Sequence, residues 1–494
     1  MGIFLRFRAL RTDAPSEPAP LANPAPRADA TARLLEACLA VGIVAAPFPF
    51  GAVPAAGRLA LELGAFALLL VWAARAWAGR PTALPPRPVI WGLAGLLLLT
   101  TLQALPLGGG IVGSLSPRAL SLRAESLPPA ALGQVERRLL GIDPTRLDTP
   151  AALSLDPGGT ASALRTGAAL AAVLLVSTTV AATSGARRLA LALLFGAAFQ
   201  GLYGLLVTAS GHDRIWHVAK KYYLDSATGT FVNPNHFAGL LAMSLPCGVA
   251  LIHDNSRRQR VRAARGAAAW LGGSGSRNWL LWLLVVVGAS GLLLSYSRAG
   301  IALGLLALGL TLLGAGRHQG LRARLIVAIL VVAAAVLPLL QIGAGRLLAR
   351  YAASPSELSG ARVQVWIDTL SLFAAQPLAG CGFGAFAASY PLVRSQEVRQ
   401  FFAHAHNDPV QLLAEGGALG ATLFLLALVP VAARAIRAIA GDRGPLAVGF
   451  AAGLVAAMLH SLVDFTFHIP SNAATAAVLA GVLLGLPCRP PTSS

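Results

Sequence analysis

Residues 404–417 read His-Ala-His-Asn-Asp-Pro-Val-Gln-Leu-Leu-Ala-Glu-Gly-Gly, and the apolar segment 418–431 follows them directly. Within twelve residues this stretch holds two imidazoles, two amides and two carboxylates. Asp408, Pro409 and Gln411 predict a helix start, with Asp at the N-cap, Pro at the first position and Gln closing a capping box. With its flanks, the apolar segment is long enough to cross a bilayer. The stretch therefore predicts a polar site where a helix enters the membrane.

The positive end of this helix would face His406 and Asn407. An anion such as a phosphate is stabilised at such an end. A protonated imidazole is disfavoured there, which leaves a neutral ring able to accept a proton. We therefore take His406, His404 and Asn407 as candidate catalytic residues, and we interpret Asp408 as a helix cap.

The composition excludes a soluble globular protein. Of 494 residues, 56% are hydrophobic and 12% are charged, and the mean hydropathy is +0.67; this is typical of a polytopic membrane protein. The formal net charge is +19, but the basic residues are scattered over short loops, where they indicate orientation and contact with anionic lipid headgroups. A nucleic-acid partner is therefore disfavoured. The four cysteines lack metal-ligand spacing, so we expect no structural disulfide and no metal site.

Twelve apolar runs of about 17–25 residues predict an all-α polytopic membrane protein with about 12 transmembrane helices. The Arg-rich loops 253–278 and 317–324 are predicted to be cytoplasmic. Residues 279–316 then form a hairpin whose tip on the far side is residues 295–298, and alternation outward places both termini in the cytoplasm. The predicted segments are 33–52, 58–78, 88–107, 161–183, 188–209, 234–252, 279–295, 299–316, 325–343, 417–436, 445–464 and 471–487.

The predicted organisation is one transmembrane domain with two short ends. Residues 1–32 are expected to be a disordered cytoplasmic leader, residues 33–487 the membrane domain, and residues 488–494 a cytoplasmic tail. In residues 361–374 the pattern predicts an amphipathic helix with Val365, Ile367, Leu370 and Phe373 near one face. The long loops on the outer face are 108–160, 210–233 and 344–416.

Four polar sets lie on this outer face. The first, Thr228 to His236, contains Asn233 and Pro234 as an N-cap and first helical position, with Lys220 and Lys221 upstream. The lysines are suited either to holding phosphate or to sitting among headgroups. The second set is the hairpin tip with Arg298, whose planar guanidinium matches phosphate oxygens; snorkelling to the surface is the alternative.

The third set is the histidine stretch with Arg362 and Glu415. Because an unpaired carboxylate is costly at membrane depth, we expect Glu415 to pair with an arginine or a backbone group. The fourth set, residues 460–470, contains Asp464 and His468, which we expect to orient neighbouring groups at the rim of the site. Asn235, Arg362, Asp408, Glu415 and Asp464 are the predicted supporting residues.

A site of this kind suits a donor that is already activated. The outer face has no acidic cluster able to hold Mg²⁺ or Mn²⁺, and nucleotide is not supplied there. A sugar linked to a polyprenyl diphosphate arrives both activated and in the membrane. We therefore predict no cofactor.

Three passages resemble the O-antigen ligase and O-antigen polymerase superfamily of bacterial inner-membrane proteins. They are residues 228–239, residues 294–300 (Leu-Ser-Tyr-Ser-Arg-Ala-Gly) and residues 377–420, and the run His-Ser-Leu-Val-Asp-Phe at 460–465 fits as well. The likeness covers about residues 160–487. It implies a multi-pass, GT-C-like glycosyltransferase of the bacterial inner membrane that uses an undecaprenyl-diphosphate-linked glycan without a metal ion.

The resemblance also implies residue roles. His406 matches the family's essential histidine, the proposed base, and Arg298 matches a diphosphate-binding arginine. Family members often carry an arginine just before the Thr-Gly-Thr-Phe segment, where this chain has Ser226. The candidates to replace that arginine are Lys220, Lys221 and Arg214.

The motifs leave the acceptor open. A ligase transfers finished glycan to lipid A-core, a polymerase joins one lipid-linked repeat to another, and a protein O-glycosylating enzyme uses a Ser or Thr hydroxyl. A transporter or flippase for a lipid-linked sugar is the alternative from another class. It is disfavoured because transport sites lie near the bilayer midplane, whereas these polar groups lie in outer loops. The sugar and the oligomeric state are also left open.

Overall fold

The computed structural model describes residues 29–107, 109–115, 152–224, 226–263, 275–315, 356–441 and 443–487. Within these ranges the chain is mostly helical. The α-helices are α1 (Ala30–Ala45), α2 (Ala55–Trp77), α3 (Arg87–Ala104), α4 (Gly109–Leu115), α5 (Pro157–Thr183), α6 (Arg187–Ser210), α7 (Pro234–Ala263), α8 (Gly275–Leu294), α9 (Arg298–Ala315), α10 (Ser356–Ala375), α11 (Phe386–Ser389), α12 (Asp408–Ala440), α13 (Pro445–His460) and α14 (Pro470–Gly485). The short 3₁₀ helices are Phe50–Ala52, Tyr390–Leu392 and Thr466–His468, and the strands β1 (Arg214–Ile215) and β2 (Val218–Ala219) form an antiparallel hairpin.

Eleven of the twelve predicted membrane segments overlap a helix, and the twelfth, 325–343, lies outside the described residues. In the described part, 7 helices are long and apolar enough to cross a membrane: α2, α3, α5, α6, α7, α9 and α12. Helices α8, α13 and α14 have shorter apolar lengths, and α1 has 16 residues. The chain is thus a mostly helical, multi-pass membrane protein, and the count of twelve spans stays a prediction. The predicted tail and most of the predicted leader lie outside the described residues.

Helix α7 is central to the bundle, and its most apolar 18 residues are all buried. Helices α6, α8, α9 and α13 pack around it. Glycines permit the close approach: a Cβ at Gly453 of α13 would lie 2.2 Å from the carbonyl oxygen of Met243 on α7. Because apolar surfaces gain little by exchanging lipid for protein, close packing of small residues is a main source of helix association in a bilayer.

The predicted Arg-rich loop 253–278 is partly helical. Helix α7 continues to Ala263, and α8 begins at Gly275. Asp254 holds the extension, because it forms ion pairs with Arg187 of α6 and with Arg258 one turn further along α7. Local charge pairing thus extends the helix beyond the apolar run that predicted it.

The polar stretch lies on a half-helix, because α12 is broken at Gly417. This glycine has a φ of +63°, and a Cβ there would lie 2.3 Å from the carbonyl oxygen of Leu378. The segment 377–382 supplies hydrogen bonds on both sides of the break. These bonds run from Cys381 N to Ala414 O, from Gly382 N to Glu415 O, from Ala418 N to Pro377 O and from Leu419 N to Leu378 O, at 2.8–3.1 Å.

Helix α10 is longer than predicted and buries a different face. Val365 is fully buried, but Ile367 and Leu370 are 52% and 44% exposed, so their predicted placement on one face with Val365 is wrong. The inward face carries Asp368, which accepts hydrogen bonds from the Tyr390 hydroxyl at 3.0 Å and the Ser395 amide at 3.1 Å. These polar contacts with the following segment, rather than apolar periodicity, set the rotation of the helix.

The predicted outer loops carry local structure. Within 108–160, α4 and the start of α5 are helical, Pro106 pairs with Ala152, and residues 116–151 lie outside the described part. Within 210–233, the β1–β2 hairpin presents Trp216, whose indole Nε1 donates to the carbonyl oxygen of Phe48 at 3.0 Å. The chain therefore departs from a purely helical fold at this hairpin.

Candidate functional site

His406 lies in the left-handed backbone region, with a φ of +53°, directly before the half-helix of α12. The N-cap of this helix is Asn407, whose Oδ1 accepts from the Val410 amide at 3.1 Å. The predicted N-cap at Asp408, and its capping box with Gln411, are therefore wrong. Asn and Asp are equally good caps, and here the Asp408 carboxylate binds His468 instead.

Asp464, which is 1% exposed, holds the imidazole of His406. The His406 Nδ1 lies 3.1 Å from the Asp464 Oδ1, while the aromatic ring of Phe465 packs edge-on against the imidazole. Burial opposes charge on Asp464, but the hydrogen bond from His406 and the surrounding imidazoles hold the pKa of the carboxyl below its usual value. A carboxylate at Nδ1 favours the tautomer with its proton on Nδ1, which leaves Nε2 as a proton acceptor.

Two further hydrogen bonds join the start of α12 to the segment between α13 and α14, which carries Asp464. The Asp408 amide donates to the Ser461 carbonyl oxygen at 2.8 Å, and the Asn407 Nδ2 donates to the Leu462 carbonyl oxygen at 2.9 Å. The position of His406 relative to Asp464 therefore rests on backbone contacts as well as on the side-chain pair.

A second group of side chains surrounds His468. Its Nδ1 lies 2.7 Å from the Asp408 Oδ1, and its Nε2 lies 4.0 Å from the Glu415 Oε2. Although burial opposes the charged form, these two carboxylates raise the pKa of His468 to about 10. In contrast, burial and the neighbouring imidazoles lower the pKa of His404 to about 2. At neutral pH the site thus holds a charged His468 beside a neutral His404, whose ring stacks on Phe465.

We expect the stability of the protein to depend on pH through His468. The folded-state pKa of about 10 exceeds the ordinary value of 6.5, so the stabilisation is fully present below pH 6.5 and declines up to pH 10. The variant His468→Gln should show a smaller fall of Tm between pH 7 and pH 10 than wild type. Thermal unfolding in detergent over this range measures the difference, and parallel Tm curves for the two proteins would contradict the assignment.

Glu415 is buried within α12 at the break, where its backbone carbonyl and its carboxylate both accept hydrogen bonds. The carboxylate accepts from the Phe386 amide at 3.1 Å and from the Gln411 Nε2 at 3.1 Å. It therefore pairs with a backbone group, one of the two partners expected from its depth. Its contact with His468 also makes it part of the charged group around that histidine.

The side chain of Gln103, on α3, forms hydrogen bonds to both segments that meet at the break in α12. This fully buried amide donates to the carbonyl oxygens of Ala379 at 2.6 Å and Glu415 at 2.9 Å, and it accepts from the Phe383 amide at 3.1 Å. The sequence analysis assigned no role to Gln103, because its partners lie more than 270 residues further along the chain. A glutamine inside an apolar run was the available signal.

The variant Gln103→Leu should destabilise the site, because each buried backbone group left unpaired costs about 1–3 kcal/mol. We expect the variant to have a Tm several degrees lower than that of the wild type, and a lower rate of glycan transfer if the chain is a glycosyltransferase. Thr101→Val is the matched control, because within the described part of the chain the Thr101 hydroxyl bonds only to the Leu97 carbonyl oxygen of its own helix. Equal effects of the two substitutions would contradict the bracing role.

The motif at residues 228–239 includes the first turn of α7, which contacts Asp464 and Phe465. Asn233 caps the helix as predicted, since its Oδ1 accepts from the Asn235 amide at 2.9 Å, and the helix begins at Pro234. One residue further, the His236 Nε2 lies 3.9 Å from the Asp464 Oδ1, and its ring packs edge-on against Phe465. No role was predicted for His236, although it lies within the quoted motif.

The hairpin tip places Arg298 at the first position of α9, where it is exposed. Two contacts attach this tip to the 228–239 motif. The Ala227 amide donates to the Leu294 carbonyl oxygen at 2.9 Å, and Gly300 lies against Ala238, where a Cβ would approach to 2.4 Å. Arg298 thus stands at a helix N-terminus, an arrangement that favours an anion.

The remaining basic candidates differ in their exposure. The side chain of Lys220 is buried, with its Nζ 3.2 Å from the Asp213 Oδ1 and 2.8 Å from the Ser226 carbonyl oxygen. It reaches the position of the family arginine, but its charge is already paired, which does not support the predicted role in holding a diphosphate. Arg214 and Lys221 are exposed on the same segment.

Arg362 lies on α10, one turn before Trp366, and is half-buried. The Trp366 Nε1 donates to the Ala405 carbonyl oxygen at 2.9 Å, so α10 supports the backbone between His404 and His406. No group of three or more His, Cys, Asp or Glu side chains in the described ranges is arranged to hold a metal ion.

Two comparisons with known proteins bear on this site. Residues 283–425 match the family model described as O-antigen ligase. The matched segment contains both Arg298 and His406, and it ends before Asp464. The comparison with curated proteins finds no match.

Proposed function

Because residues 283–425 belong to the O-antigen ligase family, as the sequence motifs predicted, we propose that this multi-pass membrane protein is a glycosyltransferase. It transfers a glycan from undecaprenyl diphosphate to an acceptor hydroxyl on the periplasmic face of the bacterial inner membrane, with both termini in the cytoplasm. The observation that carries the proposal is the His406–Asp464 pair, at 3.1 Å, at the start of the half-helix.

In the proposed reaction, His406 is the general base. Asp464 accepts a hydrogen bond from the Nδ1–H group, whose proton stays on His406. The lone pair of Nε2 takes the proton of the acceptor hydroxyl. The acceptor oxygen forms a bond to the anomeric carbon as the bond from that carbon to the diphosphate oxygen breaks. General-base assistance of this kind contributes about 10²–10⁴-fold to a rate.

Arg298 is the proposed partner of the leaving diphosphate. A guanidinium at a helix N-terminus offers several N–H donors to phosphate oxygens and a positive potential to the departing charge. Arg214 and Lys221 remain candidates for a second cationic contact, because both are exposed on the segment that precedes Ser226.

His404 and Asn407 have different proposed parts. His404 stays neutral and forms a wall of the site through its stacking on Phe465, so we assign it to positioning rather than to proton transfer. Asn407 holds the half-helix to the segment that carries Asp464. Asn235, Arg362, Asp408 and Glu415 support these groups from α7, α10 and α12.

The test is transfer in reconstituted vesicles that contain a lipid-linked glycan without nucleotide or metal. Wild type is offered purified lipid A-core, and then donor alone. Product on lipid A-core would identify a ligase, and lengthened lipid-linked glycan from donor alone would identify a polymerase. Product on a Ser or Thr of an added protein would identify an O-glycosylating enzyme. Movement of donor across the bilayer without any product would overturn the enzyme proposal in favour of a transporter.

A further inference from the structure

An apolar groove of about 430 Å³ lies between α1, α2 and the outer half of α14. Its lining includes Leu35, Leu39 and Ile43 of α1 and Leu68 of α2. Eight residues between Leu34 and Ala46 line the groove, and the distance from Leu34 to Ala46 is about 18 Å at the helical rise of 1.5 Å per residue. The groove therefore has the shape of a site for a single extended hydrocarbon chain.

One end of the groove is polar. Ser471 and Thr475 of α14 are the hydroxyl-bearing residues of its lining, and the Thr475 hydroxyl donates to the Ser471 carbonyl oxygen at 2.8 Å. The Ser471 side chain is 1% exposed, and its Oγ has no hydrogen-bond partner among the described residues. Since buried hydroxyls are normally hydrogen-bonded, an orphaned hydroxyl at the end of an apolar groove indicates a ligand with a polar group at that end.

The polar end of the groove adjoins the proposed active site. Asn472, the residue after Ser471, donates from its Nδ2 to the His236 carbonyl oxygen at 2.9 Å. Of two successive residues of α14, Ser471 thus lines the groove and Asn472 contacts the backbone of His236. On the other side of the groove end, Pro47 accepts a hydrogen bond from the Thr230 hydroxyl at 2.7 Å.

Glycines keep the groove open along its length. Gly42 of α1 and Gly64 of α2 both belong to the lining, and a Cβ at either would meet no atom within 4 Å. Both glycines are exposed, so the groove is open at these two positions. Side chains at these two positions would occupy the groove without displacing its walls.

We propose that this groove binds the prenyl chain of the donor, with the end of the chain that carries the diphosphate directed toward Ser471. The inference rests on the proposed function, because it assigns a place to the lipid part of that substrate. A chain held here would present its first isoprene units at the first turn of α14, beside the His236 cluster. An ordinary phospholipid acyl chain is the competing occupant.

Photo-crosslinking tests the proposal in the full-length protein, reconstituted in phosphatidylcholine vesicles. The probe is a prenyl diphosphate that carries a diazirine on its chain. We expect crosslinks on the peptides of α1 and α2, competed by undecaprenyl diphosphate but not by about tenfold more phosphatidylglycerol. Crosslinks confined to other helices, or equal competition by phosphatidylglycerol, would overturn the assignment.

The variant Gly42→Leu/Gly64→Leu fills the groove, and leucine also forms helices better than glycine. It should lose most crosslinking and raise the donor KM by about tenfold with little change in kcat, because it removes binding shared by ground and transition states. Gly309→Leu on α9 is the matched control, since a Cβ there also meets no atom within 4 Å, and it should behave as wild type.

The two proposals fail in different ways. Crosslinking in the groove without transfer to any acceptor would support the prenyl-chain site and contradict the glycosyltransferase proposal. If the double glycine variant shows normal transfer with the crosslinking and donor KM of the wild type, the glycosyltransferase proposal stands and the prenyl-chain site is contradicted.

Discussion

The variants His406→Ala and His406→Asn are expected to lose about 10²–10⁴-fold in transfer rate, the usual contribution of a general base. Both should reach the membrane in normal amounts and unfold near the wild-type Tm. His406→Asn is the better test, because the φ of +53° at this position is tolerated by asparagine more readily than by alanine. The measurement is transfer from lipid-linked glycan in vesicles, at matched protein and donor concentrations.

His212→Ala is the matched control, because His212 is exposed and its side chain bonds only to the Ser210 carbonyl oxygen among the contacts in the described ranges. It should transfer at the wild-type rate. Near-normal transfer by His406→Asn would contradict the role of His406 as the general base. Asp464→Asn separates positioning from proton transfer: it should lower the rate and change its pH profile, because an amide no longer holds the imidazole in one tautomer.

The variant Arg298→Ala is expected to lose about 10²–10³-fold in kcat, which is typical when one charge-stabilising donor is removed from an active site. Arg298 stands at the N-terminus of α9, so its loss removes a cation from a place that already favours anions. Arg298→Lys should recover part of the rate, because a lysine keeps the charge but not the planar pair of donors. Both kcat and donor KM are measured with lipid-linked glycan.

Arg394→Ala controls for surface charge. Arg394 is exposed in the segment between α11 and α12, and its removal changes the net charge by the same amount. We expect a small rise in donor KM at low salt and no change in kcat. An equal loss from Arg394→Ala and Arg298→Ala would mean that general attraction of the anionic donor, rather than a specific contact, explains the effect of Arg298.

Features that depend on local sequence were predicted well. The apolar runs anticipated the helices, since the length needed to cross a bilayer leaves a direct trace in composition. The tip at residues 295–298 and the cap at Asn233 are also local, because their hydrogen bonds lie within a few residues. The family motifs around Arg298 and His406 were recognisable for the same reason.

The predicted N-cap of α12 and the predicted buried face of α10 were wrong, because in each case a polar partner outside the local pattern determined the outcome. Asp408 and Asn407 are both suitable N-caps, and only the position of His468, 60 residues further on, engages Asp408 and leaves Asn407 to cap the helix. On α10, the contacts of Asp368 with Tyr390 and Ser395 turn a polar side inward. Neither outcome follows from periodicity.

By itself, the sequence determined that this chain is a multi-pass helical membrane protein with a histidine-containing polar stretch at the start of a helix. The tertiary structure alone decided which groups meet: His406 with Asp464, His468 with Asp408 and Glu415, and Gln103 with the break in α12. It also decided that the side chain of Lys220 is paired and buried. The physical reason is that hydrophobic length and helix caps are encoded locally, whereas a polar group in a membrane must find a partner wherever packing brings one near.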